Sequence, residues 1–146
     1  MKYIAYGSNM EQEPMAERCP HAVLLGMGTL SNMSLEFYVH ATVVPAAGSS
    51  VPVAVWEIDA GDEAGLDWYE GYPDYYRKEE HTVRMDDGSE ISGMVYIMNE
   101  SMYTLRLPTR DYYNGIRGAY MRLGLAEQIS TVLESALDRC MARLNR

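Results

Sequence analysis

Apolar residues along the chain fall into short runs, some with strand spacing and some with helix spacing. Lys2 to Tyr6 is an apolar and aromatic run that predicts a first strand, and Gly7-Ser8-Asn9 ends it with turn chemistry. Met10 to Arg18 predicts a short helix, its start limited by Pro14. Ala22 to Leu30 and Ser34 to His40 predict two strands. Val43 to Ser50 holds Pro45, Gly48 and two serines and reads as a loop. Val51 to Ile58, dense in valine, is the clearest β segment.

Asp59 and Asp62 offer capping side chains for a helix over Glu63 to Glu70, with Gly71 suited to the position just past its end. Tyr75 to Met85 and Glu90 to Met98 predict a hairpin with Asp87-Gly88 at its tip. Thr109 can cap a helix from Arg110 to about Leu123, and Gly124 marks a break. The last segment places Ile129, Val132, Leu133, Ala136, Leu137, Cys140, Met141 and Leu144 on one helical stripe, which reads as a helix docked on the domain rather than a dimer seam. Strands and helices do not alternate regularly as βαβ units. The expected class is therefore α+β: one domain over residues 1–146, on a small mixed sheet that could close into a barrel, with residues 125–146 as an appended amphipathic helix.

Composition narrows the partners. The chain of 146 residues carries 12 Lys+Arg against 21 Asp+Glu, a formal charge of −9. That balance repels phosphate backbones and anionic membranes, so the expected partner is a small molecule, with neither nucleic acid nor membrane. No run approaches the roughly 18 apolar residues of a membrane span, and the N-terminus lacks a signal-peptide pattern, so a cytoplasmic location is expected. Cys19 and Cys140 lie far apart, outside any CxxC pair, and read as reduced thiols. His21, His40 and His81 show no metal-ligand spacing, and no phosphate-binding loop, dinucleotide fingerprint or nucleophile elbow is present, so neither metal nor cofactor is expected.

Three features carry candidate chemistry. Glu70 shares a helix face with Leu66 and sits among Trp68, Tyr69, Tyr72, Tyr75 and Tyr76. Partial desolvation there would raise its pKa toward neutrality and suit it to proton transfer; a solvated glutamate, or one paired with Arg77, is the alternative. Tyr6-Gly7-Ser8-Asn9 can present successive backbone N–H groups as an anion nest, or can be an ordinary strand-to-helix turn. Pro108-Thr109-Arg110-Asp111-Tyr112 would aim Tyr112 off the first turn of a helix, toward a ligand or into packing.

Together these features resemble the γ-glutamylcyclotransferase-like family, which includes the AIG2-like proteins. Tyr3-Ile4-Ala5-Tyr6-Gly7-Ser8-Asn9-Met10 is similar to its signature turn after the first strand. Val55-Trp56-Glu57-Ile58 resembles the strand before its active-site helix. Leu66-Asp67-Trp68-Tyr69-Glu70-Gly71-Tyr72-Pro73, with Tyr76 and Arg77, resembles the segment bearing its catalytic glutamate. Pro108 with Tyr112, then Gly124-Leu125, resembles its late helix motif. Met10 for the usual leucine, Thr109 for serine and Val53 for a common glycine depart from the pattern.

The resemblance implies a β-barrel-like sheet with a cavity at one mouth. It also implies conversion of a γ-glutamyl amide into 5-oxoproline and a free amine or amino acid, without a cofactor. The chain itself is expected to be a monomer or homodimer. Glu70 would be the catalytic base, Tyr6, Gly7, Ser8 and Asn9 would bind the glutamyl group, and Tyr112 would contact the substrate. The Gly7 to Asn9 amides would meet either the α-carboxylate or the developing oxyanion. A non-catalytic metabolite-binding module on the same fold is the alternative.

Overall fold

Strand β1 (Lys2–Ala5) lies between two partners: it pairs antiparallel with β3 (His40–Glu57) and parallel with β5 (Glu90–Met98) at Tyr3 and Met94. β2 (Val23–Tyr38) pairs antiparallel with β3 and, through Gly28–Met85 and Thr29–Arg84, with β4 (Tyr76–Met85). β4 and β5 form the Asp87-Gly88 hairpin, so the order β1-β3-β2-β4-β5 closes on itself as a barrel. The computed structural model describes all of residues 1–146. A closed sheet with a single parallel seam and flanking helices bears out the expected α+β barrel.

Burial follows from closure. In β3, Val51 through Trp56 are all buried, because the barrel interior takes one face and the helices cover the other. Trp56 and Leu66 are fully buried, and Trp56 Nε1 donates to the Asn9 carbonyl at 2.8 Å, tying the core to the turn after β1.

One segment differs from expectation. Val43 to Ser50 is strand, part of β3 and paired with β2, and the two strands expected over Ala22 to Leu30 and Ser34 to His40 merge into the single long β2, except that His40 lies past the turn and opens β3. This part of the ribbon projects toward solvent: Gly48, Ser49 and Ser50 are exposed, so its polar composition reflects hydration of a strand and not a loop. Irregularities near Gly26 and Asn32 bend it, and Gly48 N–H donates to Asn32 Oδ1 at 3.1 Å. The chain reverses between Tyr38 and His40 with only Val39 at the turn, at φ 70°.

The helices begin and end as their capping residues dictate. A short 3₁₀ turn (Ser8–Met10) precedes α1 (Gln12–Arg18), with Pro14 in the first turn, where its missing N–H costs nothing. α2 (Ala60–Glu70) starts earlier than the sequence suggests, because Asp59 and Asp62 form a reciprocal capping box. His21 lies 3.2 Å from Asp59, but both aspartates are committed to that cap. α3 (Arg110–Arg122) is capped by Thr109. A π-helical stretch (Ile129–Glu134) leads into α4 (Ser135–Leu144), which docks on β2. Leu133, Ala136 and Cys140 are buried, and the buried Glu36 pairs with Arg139 at 2.8 Å and Arg143 at 3.3 Å. Cys19 and Cys140 are both buried free thiols. No helix is long and apolar enough to cross a membrane.

Candidate active site

The end of β1, the end of α2 and the start of α3 converge on a cavity of about 230 Å³. Tyr6, Gly7, Ser8, Asn9, Glu70 and Tyr112 all line it, so every site residue expected from sequence faces one space. The structure adds Tyr3, Ile4, His40, Ala41, Tyr69, Tyr75, Tyr76 and Tyr96 to the wall.

Glu70 is the last residue of α2. Gly71, in the left-handed conformation at φ 67°, ends the helix at once and leaves the carboxyl at the cavity wall. Burial among the tyrosines pushes the Glu70 carboxyl up to about 7, only partly countered by the Arg18 guanidinium. The alternative partner is spent elsewhere: Arg77 binds Glu79 at 2.8 Å and the Met98 carbonyl at 3.1 Å.

Arg18 organises the turn after β1. It donates to Asn9 Oδ1 and, at 3.5 Å, to Ser8 Oγ, while its guanidinium lies 3.8 Å from the Tyr69 ring centroid. Because Arg18 fixes Asn9 Oδ1 as the acceptor, Asn9 Nδ2 must face the other way, and it donates to the Tyr3 hydroxyl at 3.0 Å. Asn9 is therefore a structural hub as well as a wall residue. An added Cβ on Gly7 would meet only Ile116 Cδ1 at 3.9 Å, so crowding does not demand glycine there. The amides of Gly7, Ser8 and Asn9 donate to no acceptor within the chain.

The phenols divide by what they have already spent. Tyr6 donates to the Tyr96 carbonyl at 2.7 Å, Tyr76 to the Ala41 carbonyl at 2.6 Å, and Tyr96 to Asp67 at 2.6 Å. The Tyr112 hydroxyl instead accepts from the Ala41 amide at 3.0 Å, which leaves its proton for a ligand. Burial raises the pKa of Tyr112, and the nearby Glu70 charge adds to this, so it stays a neutral donor.

Arg18→Met removes the one cation that lowers the Glu70 pKa. The limb on which Glu70 deprotonates should move to higher pH, lowering kcat/KM at neutral pH at least about threefold, and only the part due to Glu70 should recover above about pH 8. A pH–rate profile checks this; an unshifted limb would mean that Arg18 acts only through Asn9.

The comparisons with known proteins bear on the family and the fold. A family model described as "Gamma-glutamyl cyclotransferase, AIG2-like" matches residues 3–114. A solved structure named gamma-glutamyl cyclotransferase superposes with a TM-score of 0.78 at 26% identity, covering 90% of this chain and 86% of that one. An uncharacterized human protein superposes with a TM-score of 0.79, again at 26% identity over 90% and 86% of the two chains. A protein of Methanocaldococcus jannaschii, provisionally named a gamma-glutamylcyclotransferase, is 38% identical over 47 residues. That stretch is 32% of this chain and 39% of the relative's own length. With the family model spanning well over half of its residues, the chain belongs to the AIG2-like γ-glutamyl cyclotransferase family.

Proposed function

We propose that the protein is a γ-glutamyl cyclotransferase, closing a γ-glutamyl amide to 5-oxoproline and releasing an amine or amino acid. The observation that carries this reading is Glu70: a carboxyl held near pH 7, without an ion-pair partner, in a tyrosine-walled cavity. In this scheme the free amides of Gly7 to Asn9 take the substrate's α-carboxylate, because Arg18 lies directly behind Ser8 and Asn9 and supplies positive charge to that wall. The Tyr112 proton meets the γ-carbonyl oxygen.

Glu70 accepts a proton from the substrate's α-ammonium group, and the freed amine attacks the γ-carbonyl carbon. The new C–N bond closes the five-membered ring, and collapse of the tetrahedral centre breaks the amide C–N bond. Glu70 returns its proton to the departing nitrogen, then takes the surplus proton of the ring nitrogen and passes it to the released amine. Of the three ammonium protons, one remains in the lactam and two leave with the amine, so atoms and charge balance without water, metal or nucleotide. Because nucleophile and electrophile belong to one molecule, the chain's main task is to hold the folded-back conformer.

The test is 5-oxoproline release by the purified protein from γ-glutamyl dipeptides and γ-glutamylamines. Release supports the reading. A saturable complex with no release from any donor would replace it with a metabolite-binding module on the same fold.

A further inference from the structure

The cavity is asymmetric in exposure and in unspent polar groups. Tyr3, Tyr6, Asn9, Tyr76 and Tyr96 are buried at its inner end, whereas His40 and Tyr69 are the exposed wall residues and so mark its mouth. A substrate whose glutamyl half is held inside must leave its variable half at that mouth. There the His40 Nδ1 is bonded to the Tyr75 hydroxyl at 2.8 Å, and Nε2 has no partner.

His40 is held in place at some cost. It follows Val39, a β-branched residue at φ 70°, a conformation that only surrounding contacts sustain. Val39 N–H donates to the Arg106 carbonyl at 3.1 Å, which also accepts from the Cys140 thiol. The Tyr38 ring stacks on Tyr103 at 3.9 Å, and the Arg143 guanidinium lies 4.4 Å from its centroid. Cys140 and Arg143 belong to α4, beyond the matched residues 3–114, so a segment outside the family match pins the turn that carries His40. On its other side the imidazole packs edge-on to Tyr75 and Tyr112.

We infer that His40 is a specificity-determining residue, whose Nε2 contacts a polar group on the leaving amine of the substrate. This rests on the cyclotransferase reading for the identity of the leaving group. Although the residue is exposed at the rim, packing of its ring against Tyr75 and Tyr112 partly desolvates the imidazole and lowers the His40 pKa, so the contact is made by neutral imidazole. Donors bearing a hydrogen-bonding group near the scissile nitrogen are therefore preferred over plain alkylamides.

The experiment compares γ-glutamyl ethanolamide with γ-glutamyl ethylamide in the wild type, His40→Leu and His40→Gln. Loss of one such hydrogen bond should lower kcat/KM for the ethanolamide about tenfold in His40→Leu. The ethylamide should change by less than about twofold, and His40→Gln should recover most of the preference. Equal losses on both donors, or no loss on either, would overturn the inference. If the wild type releases 5-oxoproline from neither donor, the activity reading is decided by the wider panel of dipeptides and amines, and proton NMR of the His40 imidazole decides the inference. Saturable shifts with ethanolamine but not ethylamine would sustain it; no shift, or equal shifts, would overturn it.

Discussion

Glu70→Gln should reduce 5-oxoproline release by at least about 10³-fold while leaving the fold intact. The amide keeps the shape of the carboxyl and still accepts hydrogen bonds, but at neutral pH it neither takes the α-ammonium proton nor delivers one to the departing nitrogen. Phenols cannot substitute: Tyr3, Tyr6, Tyr76, Tyr96 and Tyr112 all have raised pKa values, with burial the leading cause, so none is a base near neutrality. Wild-type kcat/KM should rise with pH through about 7 as Glu70 deprotonates. Turnover by Glu70→Gln close to wild type would remove Glu70 from the mechanism.

The same substitution should stabilise the protein above neutral pH. The Glu70 pKa is raised in the folded chain, so the native state binds this proton more tightly than the unfolded state does. That favours folding below about pH 4.5, the ordinary value, and is lost as pH rises through about 7. At pH 8 the wild type therefore carries an unfavourable partly buried charge that Glu70→Gln lacks. The variant should be more stable there by about 2 kcal/mol, with the gap closing below pH 5. Denaturant titrations at pH 5 and 8 would show it. A variant both more stable and inactive would identify Glu70 as a residue kept for chemistry at a cost to folding.

What sequence exposed and what it hid divide along contact distance. Glu70 was legible because its cues are local: a capped helix, aromatic neighbours and a stop glycine immediately after. The turn from Tyr6 to Asn9 and the capped start of α3 at Tyr112 were legible for the same reason. Tyr69, Tyr75 and Tyr76 are legible as local company of Glu70 and do line the cavity, whereas Trp68 and Tyr72 are exposed and off its wall, and neither Tyr96 nor the hydrogen bonds of the cavity phenols can be read locally. Tyr76 reaches the Ala41 carbonyl, 35 positions away, only because β3 and β4 are set by barrel closure. Arg18 reads locally as a basic residue ending a helix, and nothing near it in sequence indicates that it fixes the Asn9 amide. His40 looked like a scattered histidine because Val39 alone makes the turn, in a conformation that β-branched residues avoid. Val43 to Ser50 was misread because turn-forming residues also suit a strand exposed to water.

Gly28→Val should be the most destabilising single substitution at the barrel seams. β2 and β4 meet through only two residue pairs, and Gly28 is one of the four residues in them. A Cβ there would lie 2.6 Å from Val83 Cγ1, 2.7 Å from the Arg84 carbonyl oxygen and 3.2 Å from the Met85 Cα. Two of these are backbone atoms of the partner strand, so no rotamer change relieves the clash and the strands must part. Overpacking a closed core by one methyl costs about 1–3 kcal/mol, and valine adds two more carbons against backbone. A loss above about 3 kcal/mol is therefore expected, lowering the melting temperature by about 10 °C. Gly115→Ala is the matched control, since it lies within α3 with nothing inside 4 Å of its added Cβ. It should stabilise by about 0.5–1 kcal/mol through helix propensity alone. If Gly28→Val melted with the wild type, the strands would have room to separate at this seam. Closure of the barrel would then not be what positions β4 and the cavity residues Tyr75 and Tyr76 at its start.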